Sequence, residues 1–197
     1  MKKSRFKRVK MGQVEAGELT DRLLLINLYL TQGITLVVGL VWVLLQRRNP
    51  LFVLHLPEST EFILWGLGLA AVMLLVDMLL SRVMPQDAMD DGGINELLFR
   101  NRPVWHIILI AAVVAICEEL LFRGAIQYAF GIYWTSIIFA VIHIRYLRHW
   151  LPTGWVFLSS CGLGYIYYVT GSLWAPILCH FAIDLISGLA IRFRREA

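Results

Sequence analysis

The chain has little charge for its length. Only 16% of its 197 residues are Asp, Glu, Lys or Arg, whereas 58% are hydrophobic, and soluble domains typically carry roughly 25% charged residues. A soluble domain of this size cannot bury so much apolar surface, and a chain this apolar is not a disordered one. The composition therefore predicts a membrane protein with several spans.

Cysteine and nucleic-acid signals are also scarce. The three cysteines lie in apolar runs without the spacing of a metal site, which excludes a disulfide scaffold and indicates small core residues: Cys117, Cys161 and Cys179. The net charge of +4 comes from cations beside apolar segments, not from a nucleic-acid-binding motif. We therefore expect the lipid bilayer as a partner and no nucleic acid.

Six apolar segments predict an all-α bundle of about six transmembrane helices. The first, residues 23–45, contains no charge, and as a helix it would be about 35 Å long, enough to cross a hydrocarbon core of about 30 Å. Gly131 separates the third and fourth spans, and turns are predicted at 151–154 and 171–172. The remaining spans are expected at 62–80, 103–130, 132–147, 155–170 and 173–191.

The cations predict the orientation. An even number of spans places both termini on one side of the membrane. If that side is the cytoplasm, 15 Lys and Arg residues are cytoplasmic and only Arg47 and Arg48 lie opposite, as the positive-inside rule requires. We therefore expect a multi-pass protein of a bacterial cell membrane, with a basic cytoplasmic segment at 1–22, a single transmembrane domain at 23–191 and a basic cytoplasmic tail at 192–197.

Six ionisable residues inside the predicted spans belong to three motifs, whereas Asp77 in the second span is expected to form a hydrogen bond between helices. Each such residue costs about 2.5–3.5 kcal/mol at a helix centre, so it needs a functional or structural reason. Counted from the predicted non-cytoplasmic helix ends, Glu118, His143 and His180 lie about 18, 16 and 12 Å deep, which indicates one shared buried site. The motifs are Glu118-Glu119-x-x-x-Arg123, Phe139-x-x-x-His143 and His180-x-x-x-Asp184.

Residues four apart share one face of a helix, which suggests roles within each motif. Glu119 and Arg123 have the spacing of an internal ion pair, and this favours a structural role for both. Phe139 is predicted to pack and to shape the pocket. Asp184 could orient His180 or contact the substrate.

Two chemistries fit a buried glutamate with two histidines. In the first, Glu118 is a general base that activates water, His143 positions that water, and His180 with Asp184 stabilises the oxyanion. In the second, Glu118, His143 and His180 hold zinc, which activates bound water. The HExxH signature of many metalloproteases is absent. The residues alone leave both chemistries open.

The three motifs resemble the EExxxR, FxxxH and HxxxN/D signatures of the CPBP family. This family, also called ABI, contains type II CAAX prenyl endopeptidases and bacteriocin-processing or self-immunity proteins. The resemblance covers residues 103–191, the expected catalytic core. It implies an intramembrane glutamic endopeptidase, of a type formerly classed as metalloproteases, that acts without a cofactor on a membrane-associated peptide or protein.

The resemblance also implies roles for individual residues. Glu118 would be the base, and His143, His180 and Asp184 would complete the catalytic site. Asp184 stands where other members often have Asn. A non-catalytic membrane protein for bacteriocin self-immunity or complex assembly is the alternative, and the intact motif set favours the peptidase.

Overall fold

The computed structural model describes residues 3–83, 93–143 and 150–194, with side chains from residue 21 onward. Every regular element in these ranges is helical, which confirms the all-α class. The helices are α1 (Lys3–Leu45), α2 (Pro50–Val53), α3 (Glu61–Val83), α4 (Ile94–Phe99), α5 (Val104–Glu119), a π-helical segment (Leu120–Ile126), α6 (Gln127–Ile142), α7 (Trp150–Thr170) and α8 (Trp174–Phe193).

Four stretches of the described chain are long and apolar enough to cross a membrane, so the chain is a multi-pass membrane protein. They are Asp21–Leu45, Glu61–Arg82, Val104–Ile142 and Trp174–Phe193. Helix α7 has 21 residues but is not among the four. The count of six spans and the cytoplasmic termini stay predictions.

The third of these stretches turns back on itself at Gly131. This residue has φ 75° and ψ 175°, a conformation that glycine adopts without the steric cost of a side chain. The rings of Phe122 and Phe139 lie 4.8 Å apart, although one continuous helix would hold them about 25 Å apart. The helices before and after Gly131 therefore pack side by side, which confirms the predicted break.

One predicted boundary is wrong, and another lies outside the described residues. The turn predicted at 151–154 is wrong, because these residues form the start of α7. Pro152 fits there because an N–H in the first helical turn has no partner within the helix anyway. Helix α6 ends at Ile142, and the predicted end of the fourth span at residue 147 lies outside the described residues. The predicted turn at 171–172 is confirmed, with Gly171 at φ 62°.

Helix α8 packs against α3, α4, α5 and α7. Its approach to α3 is close, since a Cβ atom at Gly66 would lie 2.8 Å from the carbonyl oxygen of Ala175. A Cβ atom at Gly188 would lie 2.9 Å from Ile107 Cγ2 on α5. Small residues permit such close helix packing within membranes. The contacts bring the polar residues of α8 against the EExxxR motif of α5.

Candidate active site

The EExxxR motif lies where α5 changes into the π-helical segment. Glu119 is the last residue of α5, and the π-helical winding covers Leu120–Ile126. At the end of this segment the backbone N–H of Gln127 donates to the carbonyl oxygen of Phe122, five residues earlier. Single π-helical turns occur frequently at functional sites, so this irregularity marks the region independently of its side chains.

Side chains from the region that follows α1 donate to carbonyl oxygens of the π-helical segment. Gln46 Nε2 lies 2.9 Å from the carbonyl oxygen of Ala125. Arg48 Nη1 lies 2.6 Å from that of Gly124. These two hydrogen bonds connect the end of the first membrane helix with the helix that carries the motif.

Glu119 and Arg123 form the predicted ion pair. Both side chains are completely buried, and Arg123 Nη1 lies 2.9 Å from Glu119 Oε1. Arg123 Nη2 also donates to Ser160 on α7, to the carbonyl oxygen at 3.1 Å and to Oγ at 2.9 Å. The guanidinium carbon lies 4.9 Å from the centroid of the Phe139 ring. This pairing offsets part of the large desolvation cost of two buried charges.

Glu119 also contacts His180, which the sequence did not predict. His180 Nδ1 lies 2.8 Å from Glu119 Oε1, and its Nε2 lies 3.5 Å from Asp184 Oδ2. The side chain of His180 is 12% exposed and that of Asp184 is 31% exposed. Glu119 therefore links α5 to α8, in addition to its contact with Arg123.

His143 lies directly after α6 and packs on Phe139. The two ring centroids are 4.4 Å apart, and His143 Nδ1 lies 2.6 Å from the carbonyl oxygen of Phe139. Because a carbonyl oxygen only accepts hydrogen bonds, this contact assigns the proton to Nδ1 and leaves the lone pair on Nε2 when the ring is neutral. The same Phe139 ring contacts Arg123. Phe139 therefore lies between His143 and the buried ion pair.

Glu118 contacts α1 instead of sharing the partners of Glu119. Gln32 Nε2 lies 3.0 Å from Glu118 Oε1. Gln32 is 8% exposed, and its Oε1 has no hydrogen-bond partner among the described residues. Glu118 is partly exposed, unlike the buried Glu119. Sequence reasoning missed Gln32, although an amide in an otherwise apolar span was an available signal.

Zinc does not fit the geometry of these side chains. Within the described part of the chain, no three His, Cys, Asp or Glu residues are grouped so that they could hold a metal ion. Both ring nitrogens of His180 already face carboxylates. The alternative ligand set of Glu118, His143 and His180 is therefore not assembled here, and independence of a metal stays a prediction.

Comparisons with known proteins agree with the motifs. The family model described as "Type II CAAX prenyl endopeptidase Rce1-like" matches residues 99–186. The chain is 41% identical over 136 residues to "Uncharacterized protein YpbD" of Bacillus subtilis (strain 168). The aligned residues cover 69% of this chain and 72% of that protein. No solved structure matches the chain significantly. The matched region contains all three motifs, and the chain belongs to the CPBP family, the family of the type II CAAX prenyl endopeptidases.

Proposed function

We propose that this protein is a peptidase of the cell membrane, with both termini in the cytoplasm, that hydrolyses a peptide bond with water activated by Glu118. One observation carries the proposal: two adjacent glutamates have different surroundings. Glu119 is completely buried and is shared by Arg123 and His180. Glu118 is partly exposed and is held by one amide. A general base must reach water, and Glu118 satisfies this requirement better than Glu119.

In the proposed reaction, Glu118 takes a proton from water as the water oxygen bonds to the carbonyl carbon of the substrate. The same carboxyl group then gives that proton to the departing amine nitrogen as the C–N bond breaks. His143, whose Nδ1 contacts the carbonyl oxygen of Phe139, would position the water. A positioned general base typically contributes about 10²–10⁴-fold to a rate.

His180 would stabilise the oxyanion of the tetrahedral intermediate. If both ring nitrogens carry protons, Nδ1 donates to Glu119 at 2.8 Å and Nε2 faces Asp184 at 3.5 Å. The second distance is too long for a good hydrogen bond. The N–H at Nε2 could therefore donate to a substrate oxygen. Asp184 would keep the ring oriented between turnovers.

An open groove offers an approach for the substrate. It lies between α6 and α7, has a volume of about 620 Å³, and is lined by Ala140, the neighbour of Phe139 in the chain. Its lining is mostly apolar: Ile137, Ala140, Val141, Trp150, Thr153, Gly154 and Phe157. This lining suits an extended, apolar peptide segment that enters from the bilayer, consistent with a membrane-associated substrate.

The proposal is tested by comparing peptide termini in membrane fractions. Bacterial cells that lack the gene would be complemented with the wild-type chain or with Glu118→Gln, at matched protein amounts. We expect a set of new N termini that appears with the wild type and is lost with Glu118→Gln. Identical termini in both strains would instead favour the non-catalytic alternative, a membrane protein of self-immunity or complex assembly.

A further inference from the structure

We infer that Gln32 on α1 is a positioning residue that orients Glu118. This inference rests on the proposed function. Gln32 Nε2 donates to Glu118 Oε1 at 3.0 Å, from a helix that lies outside the matched residues 99–186. The catalytic site would therefore extend beyond the three motifs to a fourth helix.

The donor side of the amide fixes the carboxylate. With one oxygen held by Gln32, the Glu118 side chain has a preferred rotation, and its other oxygen becomes the proton acceptor. Close packing holds α1 in this register, because a Cβ atom at Gly39 would lie only 3.2 Å from Leu121 Cα. A base held in the correct geometry accelerates a reaction far more than a base whose orientation is not fixed.

The acceptor side of the amide is enclosed by protein. Gln32 is 8% exposed, and its Oε1 is buried without a partner among the described residues. Buried carbonyl oxygens are rarely left without a donor, and this one shares its amide carbon with the nitrogen that holds Glu118. Burial of Oε1 restricts rotation of the amide plane, so the Nε2 donor stays directed at Glu118.

The experiment uses the full chain in liposomes and an internally quenched peptide substrate. The peptide spans a cleavage site identified from the new N termini in membrane fractions of wild-type cells. Gln32→Leu removes the donor and the acceptor at similar size. We expect kcat to fall about 10²-fold with KM nearly unchanged, the typical effect of a small misplacement of reacting groups. Gln32→Asn keeps the amide on a shorter side chain and should recover part of kcat.

Gln46→Leu is the matched control. Gln46 directly follows α1, its Nε2 donates at 2.9 Å to the Ala125 carbonyl oxygen, and its Oε1 is also buried without a partner among the described residues. It should lower the thermal midpoint as much as Gln32→Leu does while leaving kcat near the wild-type value. Equal kcat losses in the two leucine variants would show a merely structural role and overturn the inference.

A second readout does not depend on turnover. Dicyclohexylcarbodiimide reacts with protonated carboxyl groups in membranes, and mass spectrometry would report labelling of Glu118. Loss of the Gln32 donor should speed this labelling relative to the wild type and to Gln46→Leu. Wild-type kcat and labelling in Gln32→Leu would refute the inference and leave the proposed function standing. Absence of cleavage by the wild-type chain would refute the proposed function and the positioning role with it.

Discussion

The two sides of helix α5 hold their glutamates differently. On the side of α7 and α8, Glu119 is completely buried and is part of a network with Arg123, Ser160 and His180. On the side of α1, Glu118 is partly exposed and has one amide partner. A fully buried carboxylate with several partners stabilises the packing of its helices, so we expect a structural role for Glu119. A carboxylate with a free side can exchange protons with water, so chemistry is expected there.

The largest expected effect is on kcat, from a change of Glu118 on the side of α1. Glu118→Gln keeps the shape of the side chain but removes the proton acceptor, so kcat should fall about 10²–10⁴-fold. The thermal midpoint in detergent should change little, because the network around Glu119 remains intact. Cleavage of the quenched peptide and a thermal unfolding assay measure the two quantities. Mild and equal losses for Glu118→Gln and Glu119→Gln would remove the difference between the two sides.

The next largest effect is on stability, from a change of Glu119 on the side of α7 and α8. Glu119→Gln leaves Arg123 buried without a full counter-charge, which typically costs about 3–5 kcal/mol in stability. We expect lower expression and a lower thermal midpoint. The double change Glu119→Leu with Arg123→Met removes both charges and should recover part of the stability but no activity. A double variant that is no more stable than Glu119→Gln would show that the ion pair is not the source of the loss.

A smaller loss is expected at the edge of the network. Ser160→Ala removes the Oγ acceptor of Arg123 but leaves the carbonyl acceptor at 3.1 Å. Hydrogen bonds to charged groups contribute about 1.5–3 kcal/mol, so the thermal midpoint should fall while kcat stays within a few-fold of wild type. Ser159→Ala, the neighbouring serine, serves as the control. A loss of kcat without a loss of stability would place Ser160 in the chemistry instead.

The sequence predicted the elements of the fold well where a local rule applies. Uncharged runs indicated the long helices, and Gly131 indicated the reversal because its conformation favours glycine. The start of α7 was missed because Pro152 fits a turn and the first turn of a helix equally well. Residues 144–149 lie outside the described residues, so the end of the fourth span at residue 147 stays a prediction.

The candidate site was predictable only within each helix. The spacing of four residues predicted the contact between Glu119 and Arg123. Adjacent residues on a helix point about 100° apart, so the rotation of α5 decides which glutamate meets α8, and sequence spacing does not define that rotation. The contacts of Glu119 with His180 and of Glu118 with Gln32 therefore required the packed structure.

The smallest effects concern Asp184 and metal. Asp184→Asn should change kcat less than about tenfold, because an amide can still orient His180, whose Nε2 lies 3.5 Å from Asp184. His180→Ala, the control, should lose more. A loss as large as that of His180→Ala would give Asp184 a direct part in the reaction.

Chelation should have no effect on a site that works without metal. We propose that the purified protein keeps its activity in a chelator and contains less than one zinc per chain by elemental analysis. Full loss of activity on chelation, with recovery on adding zinc, would favour the set of Glu118, His143 and His180 as ligands. That result would also require a rearrangement of His180, since both its nitrogens face carboxylates.

The source of the oxygen added to the product tests the central claim most directly. Purified protein in liposomes would cleave the quenched peptide in ¹⁸O-labelled water under single-turnover conditions, with mass spectrometry of the new C terminus. If Glu118 activates water, the first turnover places one ¹⁸O atom in the new carboxylate, and Glu118→Gln slows its formation about 10²–10⁴-fold. A first-turnover product without ¹⁸O, or equal rates in both proteins, would contradict the account.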